Sequence, residues 1–320
     1  MRRLKHHPAG MTAAALLVLM LAWVWRLGFG APVNVAISPH QTTAEIARHL
    51  EQSGVLQFPR LFRGLARTSG LDRAFKPGVY HLRTHMGGAL ALWKLTHSQP
   101  DLVRISVPEG FSARQIAERL EANNVAGAKE FMDYVQANRL EGYLFPDTYD
   151  FMPNTPADQV AHRMHQEFKR KVEPEFDRFP PSRLNRAQAI TLASIVQREA
   201  ILPQERPMIA AVSLNRLAKR MRLEMDPTVQ YALGGWKKGL TLQDLRVNSP
   251  YNTYMHYGLP PSPICSPGLD AVRAVLSPSK TDALYFVADN TGGHTFNVSY
   301  EEHLKAKLKA KRERRRWRKS

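Results

Sequence analysis

The chain matches itself. Val35-Ala-Ile-Ser38, then Thr42-Thr-Ala-Glu-Ile-Ala-Arg-His-Leu-Glu51 and Gly54-Val55, realign 68 and then 70 residues later with Val103-Arg-Ile-Ser106, Ser112-Ala-Arg-Gln-Ile-Ala-Glu-Arg-Leu-Glu121 and Asn124-Val125. A repeat of this length commits the chain to building one supersecondary unit twice. Each copy opens on an alternating strand and continues in a helix started by a capping box, Thr42-x-x-Glu45 or Ser112-x-x-Gln115. Second helices are expected near Pro59–Thr68 and Lys129–Ala137, and each copy closes on Pro-x-x-Tyr, Pro77 to Tyr80 and Pro146 to Tyr149. The unit reads strand-helix-helix-strand.

That order resembles the LysM module, which binds cell-wall glycan chains; a pair of packing modules without ligand is the other reading, since fold alone does not fix function. The repeat also weighs on Asp147 in the Phe-Pro-Asp-Thr-Tyr string. Its counterpart in the first copy is Gly78, which favours a turn role over a chemical one.

Ahead of the repeats, Pro8 to Trp25 carries no charge and Ala13 to Trp25 is continuously apolar, after Arg2, Arg3 and Lys5 and before Arg26. As a helix this stretch would cover about 27 Å, enough for a bilayer core. Residues 1–8 are expected in the cytoplasm, 9–26 as an uncleaved membrane anchor with Trp23 and Trp25 near the outer interface, and the body exported. A cleaved signal peptide is the rival, but Leu27 to Pro32 offers no clear small-x-small cleavage site.

The formal net charge is +17, from 45 Lys+Arg against 28 Asp+Glu. The first 26 residues hold four basic residues and no acid, and residues 304–320 hold ten against Glu313, so the 277 residues between them carry only +4. A basic groove through the fold is not expected, nor nucleic acid as partner. The basic tail, 304–320, reads as a solvated extension; with the body exported, anionic lipid headgroups or wall polymer are its natural counterparts. The single cysteine, Cys265, excludes an intramolecular disulfide and any multi-cysteine metal site and reads as a buried thiol.

After an amphipathic stretch from Ala157 to Val172 and a break marked by Pro174, Pro180 and Pro181, the run from Asn185 to Ala200 has helical period, with Asn185 as its cap. At about 100° per residue, Leu192 lies about 20°, Ile195 about 40° and Val196 about 60° from Glu199, while Gln197 lies about 160° away. Glu199 therefore points inward. A carboxyl among apolar neighbours has its ionised form disfavoured, so it remains a proton donor near neutral pH, as glycosidic cleavage requires. The other reading is a buried salt bridge to Arg206, Arg216 or Arg222.

Residues 204–220 read as a second helix. Ser249-Pro-Tyr-Asn-Thr-Tyr254 and Gly258-Leu-Pro-Pro-Ser-Pro-Ile-Cys-Ser-Pro-Gly268 form a stiff, proline-rich loop whose hydroxyl, amide and ring groups suit a sugar site. Tyr251, Asn252 and Tyr254 are assigned to substrate contact, with Asn252 open to a turn role as well. A helix over Leu269 to Leu276 precedes two strands, Leu284 to Ala288 and Thr295 to Ser299, joined by a turn ending in His294. His294 reads as a turn residue ahead of a glycan contact.

Glu141-Gly-Tyr-Leu-Phe-Pro-Asp-Thr-Tyr149, Ala193-Ser-Ile-Val-x-x-Glu199, Asn215-Arg-Leu217, Asp226-Pro-Thr-Val229, Ser249 to Tyr254, Gly258-Leu-Pro-Pro261, Tyr285-Phe-Val-Ala288 and Gly293-His-Thr-Phe296 occur in one order. In this the chain resembles the YceG-like endolytic murein transglycosylases, from the anchor to about His303. The resemblance implies a membrane-anchored lyase, in the bacterial inner membrane with a periplasmic or extracytoplasmic body, that cuts the MurNAc-GlcNAc bond within nascent peptidoglycan strands. It would leave 1,6-anhydroMurNAc ends and terminate elongation, in the company of peptidoglycan synthases or division proteins. The family's catalytic glutamate falls on Glu199, and its earlier acid is replaced here by Gln197. Asp226 and Thr228 join the expected substrate contacts; a hydrolase of the two-carboxylate type would instead draw its partner acid from Asp226 or Glu224, both of which also read as structural, Asp226 in an Asp-Pro turn. No metal or cofactor is expected. The expected architecture is α+β: the anchor, LysM-like units over 33–101 (with its connection) and 102–152, a mixed α+β catalytic domain over 153–303, and the tail.

Overall fold

Strand β1 (Pro32–Ile37) pairs antiparallel with β2 (Gly78–Arg83), Val35 opposite Tyr80 and Ile37 opposite Gly78. Between them lie helices α1 (Thr43–Gln52) and α2 (Pro59–Thr68), and α3 (Gly88–His97) follows. The second copy runs β3 (Val103–Ser106), α4 (Ala113–Ala122), α5 (Ala128–Ala137) and β4 (Thr148–Phe151), with β3 and β4 forming a two-stranded sheet. This computed structural model describes residues 30–38, 41–181, 183–237, 239–289 and 292–317, the last four by backbone alone.

The repeat persists atom by atom. Both capping boxes form, Thr42 with Glu45 and Ser112 with Gln115. After each first helix the chain turns through a left-handed residue, Gly54 at φ 71° and Asn124 at φ 55°. Those are two residue types that tolerate that conformation, and the next valine folds back to the helix in both copies (Val55 N to Leu50 O, Val125 N to Leu120 O, each 2.9 Å). The closing tyrosines each donate four residues back, Tyr80 Oη to Lys76 O and Tyr149 Oη to Phe145 O, both 2.7 Å.

The chain divides into two compact units, residues up to Val103 with Asp150–Pro153, and Arg104–Tyr149 with Asn154 onward. In the first, Ile37, Ile46, Leu50, Phe62, Tyr80, Leu82 and Leu95 form the core. In the second, α6 (Ala157–Arg178), α7 (Arg186–Glu199), α8 (Arg206–Ala218), α9 (Asp226–Ala232) and α10 (Leu269–Leu276) precede the hairpin β5 (Tyr285–Ala288) and β6 (His294–Asn297) and then α11 (Tyr300–Trp317). Phe168, Val172, Leu192, Val196, Ile209, Leu214 and Val272 make its main core.

Two expectations change. Pro174 lies inside α6, which continues to Arg178. The packing of Phe176 and a two-pronged ion pair from Arg273 to Glu175 (2.9 and 2.8 Å) hold the last turns despite the hydrogen bond a proline removes. Asp226 opens helix α9, with Pro227 in its first turn where the missing N–H costs nothing. Helix α11 runs on through the basic tail to Trp317. The expected anchor, residues 9–26, lies outside the described residues; among those described, no helix is long and apolar enough to cross a membrane.

Candidate active site

Glu199 ends α7. Asn185 caps the other end, accepting from Gln188 N at 2.8 Å, and Leu192, Ile195 and Val196 are buried on the face Glu199 shares. The helix is tied to the proline-rich loop by Ser194, which accepts from Ile264 N at 3.0 Å and donates to Thr191 O at 2.7 Å, and by Cys265, a buried thiol reaching Ser194 O at 3.2 Å. Gln197 faces away from Glu199 and accepts from Gly268 N at 3.0 Å. An amide oxygen does there what a carboxylate oxygen would do, so a glutamate at 197 would make the same contact.

Glu199 is half-buried, and its carboxyl makes no hydrogen bond or ion pair among the described residues. Burial raises its pKa to about 7, with the nearby Asp226 carboxylate adding to the effect. Its place at the carbonyl end of α7, the negative end of the helix dipole, acts in the same direction. The three arginines that could have neutralised it are engaged elsewhere. Arg206 reaches Glu109 at 3.3 Å, Arg216 donates to Leu284 O, Leu223 O and Glu224, and Arg222 lies over the Tyr257 ring.

Opposite Glu199 stands the start of α9. Asp226 is exposed and accepts from Tyr254 Oη at 2.6 Å; the pKa of that hydroxyl is raised by burial first and then by Asp226 and Glu199. The loop that delivers Tyr254 is pinned beneath. Thr228 Oγ1 donates to Met225 O at 2.7 Å and meets Thr253 Oγ1 at 2.9 Å, while Thr253 Oγ1 accepts from Met225 N at 3.0 Å. Asn252 is fully buried, its amide donating to Leu245 O and Val247 O and accepting from Tyr254 N. Of the expected substrate contacts, Asp226 and Tyr254 thus stand with Glu199. Asn252 and Thr228 spend their polar groups on backbone and loop, leaving none for a ligand, and Tyr251 Oη is paired with Ser262 Oγ at 2.6 Å. His294 is held by Glu205, through its backbone N–H and Nδ1 at 2.8 and 2.7 Å, which ties β6 to the turn before α8. Asp147 pairs with Lys171 at 2.7 Å, away from this cluster.

Nothing in the sequence marks a second half-buried acid, Glu141. It accepts from Ala113 N at the start of α4 (3.0 Å) and from Tyr231 Oη on α9 (3.1 Å), and burial raises its pKa to about 7. Tyr231 in turn packs on Tyr251 with ring centres 4.8 Å apart. Glu141 therefore joins the second repeat to the helix that carries Asp226. Its neighbour Gly142 has φ 83°, and a Cβ there would stand 2.3 Å from Pro263 Cβ. Gly142→Ala is expected to destabilise the chain by about 2 kcal/mol or more, through backbone strain together with displacement of the proline loop. A denaturant midpoint unchanged from the parent's would contradict this packing.

The arrangement supplies one carboxyl that keeps its proton up to about pH 7, an exposed carboxyl group near it and a tyrosine hydroxyl donating to that second group. The model of the YceG-like family matches residues 35–309. The endolytic murein transglycosylase of Bacillus subtilis (strain 168) is 33% identical over 304 residues, covering 87% of this chain and 84% of that protein. That of Streptococcus pneumoniae serotype 2 is 28% identical over 312 residues, and the aligned region spans 56% of that protein's length. The crystal structure of a yceG-like protein from Listeria monocytogenes superposes with a TM-score of 0.57 at 31% identity, covering 86% of this chain and 98% of that one.

Proposed function

Because the chain belongs to the YceG-like family, we propose that it is an endolytic murein transglycosylase in which Glu199 serves as acid and then as base. The observation that carries the reading is the Glu199 carboxyl, unpaired and held near pKa 7. Protonated, it donates to the oxygen linking N-acetylmuramic acid to N-acetylglucosamine as the bond from that oxygen to the anomeric carbon breaks. The muramyl 6-hydroxyl closes on the same carbon, and its proton returns to the carboxylate. One bond forms, one breaks, the proton count is restored and no water is consumed. Because the attacking group already belongs to the substrate, proximity replaces an enzyme nucleophile. Asp226 and Tyr254 border the reacting sugars, and Asn252, Thr228 and Tyr251 hold the loop that presents them.

Around this chemistry we place the repeated units as LysM-like holders of the glycan strand and residues 9–26 as the anchor that keeps the body outside the cytoplasm. The substrate would then be nascent strands near their site of synthesis, with synthases or division proteins alongside. Purified murein digested with the protein is expected to yield fragments with 1,6-anhydro ends, one water lighter than hydrolytic products by mass spectrometry, with chain length falling before disaccharides accumulate. Hydrated reducing ends would contradict the mechanism and point instead to Asp226 as the second carboxylate of a hydrolase.

A further inference from the structure

The residue before Glu199 is a cation without an anion. Arg198 has no carboxylate partner among the described residues; its one hydrogen bond is a long one, Nη1 to Gly110 O at 3.4 Å, and its Nε is buried with no partner. Its guanidinium carbon lies 3.5 Å from the centre of the Trp236 ring. The buried arginines Arg206 and Arg216 each have a carboxylate, Glu109 and Glu224, although the Arg206 Nε is also without a partner. Desolvation opposes the charge on Arg198, and an aromatic face repays only part of that cost. A planar guanidinium with an idle N–H fits a carboxylate, which it can take in a two-pronged geometry.

Resting on the transglycosylase reading, we propose that Arg198, stacked on Trp236, is a subsite for a carboxylate on the muramyl side group of the substrate. Murein sugars themselves are uncharged; the acids sit on the peptide stems, or on the lactyl group once a stem is removed. Arg198 stands one residue from Glu199 and about 100° round the same helix, so a side group leaving the sugar at the acid can reach it. The subsite recognises strands with a free side-group carboxylate over strands in which that carboxylate is masked.

The test compares uncrosslinked strands with free stem carboxylates, the same strands with those carboxylates amidated, and strands stripped of stems by an amidase. The parent protein should show a KM about tenfold higher on amidated strands. Arg198→Gln should have one KM for both, equal to the parent's on amidated material, with kcat little changed, and Arg198→Lys should retain part of the preference. Stripped strands that bind like amidated ones confine the subsite to a stem carboxylate, and stripped strands that bind like free-acid ones show that the freed lactyl carboxylate fills it as well. A parent indifferent to amidation, or an Arg198→Gln variant weakened by the same factor on both substrates, overturns the subsite and leaves Arg198 as a strap on Gly110. If the parent cuts none of the three, the transglycosylase reading fails instead.

Discussion

Glu199→Gln is expected to lower kcat by about a thousandfold or more, since it removes the group that both gives and takes the proton, while the folded structure stays intact. Stability should move in the opposite direction at alkaline pH. The folded carboxyl has a pKa of about 7 against an ordinary value of 4.5, so the native state holds its proton more tightly than the unfolded chain. Its favourable contribution is complete below pH 4.5 and is lost as pH rises through 7, leaving a penalty of about 3 kcal/mol at most. Glutamine removes that penalty. The variant should therefore resist denaturant better than the parent at pH 8 and match it at pH 4. Activity within tenfold of the parent, or a variant weaker than the parent at pH 8, would contradict a catalytic and desolvated Glu199.

The second large effect is on the pH profile. Because the acid form starts the reaction, kcat/KM should fall above a midpoint near pH 7, tenfold for each further pH unit. The Asp226 charge contributes to that midpoint, so Asp226→Asn should move the alkaline limb toward lower pH while the anhydro product persists. Glu141 titrates in the same range but is committed to Ala113 N and Tyr231, so Glu141→Gln should leave the limb where it is. A limb that follows position 141 rather than 226 would assign the essential proton to the wrong acid in this account. Loss of all turnover in Asp226→Asn would mark Asp226 as a second chemical carboxylate.

The local grammar of this chain was legible. Capping boxes and closing tyrosines at 80 and 149 are written in short-range spacing, and the structure forms them in both copies, while the left-handed backbone shared by the aligned Gly54 and Asn124 was not among the expectations. Helical phase likewise placed Glu199 with Leu192, Ile195 and Val196, because one helix decides which residues share a face. Phase could not say which of Arg206, Arg216 and Arg222 would reach it, since that depends on where Glu109 and Glu224 arrive from other segments. Glu141 stayed hidden for the same reason. Its partners lie 28 and 90 residues away, and no periodicity marks it as buried. Asn252 looked available because an amide in a Pro-flanked loop reads alike whether it faces a sugar or the backbone of Leu245 and Val247. Pro174 misled by propensity, which tertiary packing overrode in α6.

The most direct measurement is the titration of the Glu199 carboxyl itself, followed by carbon NMR in the intact protein, with Glu199→Gln identifying its resonance. The expected midpoint is near 7 and falls when Asp226 becomes asparagine. A midpoint at or below the ordinary value of 4.5 would mean a solvated or paired carboxylate, unable to donate a proton at neutral pH, and the proposed chemistry would have no acid.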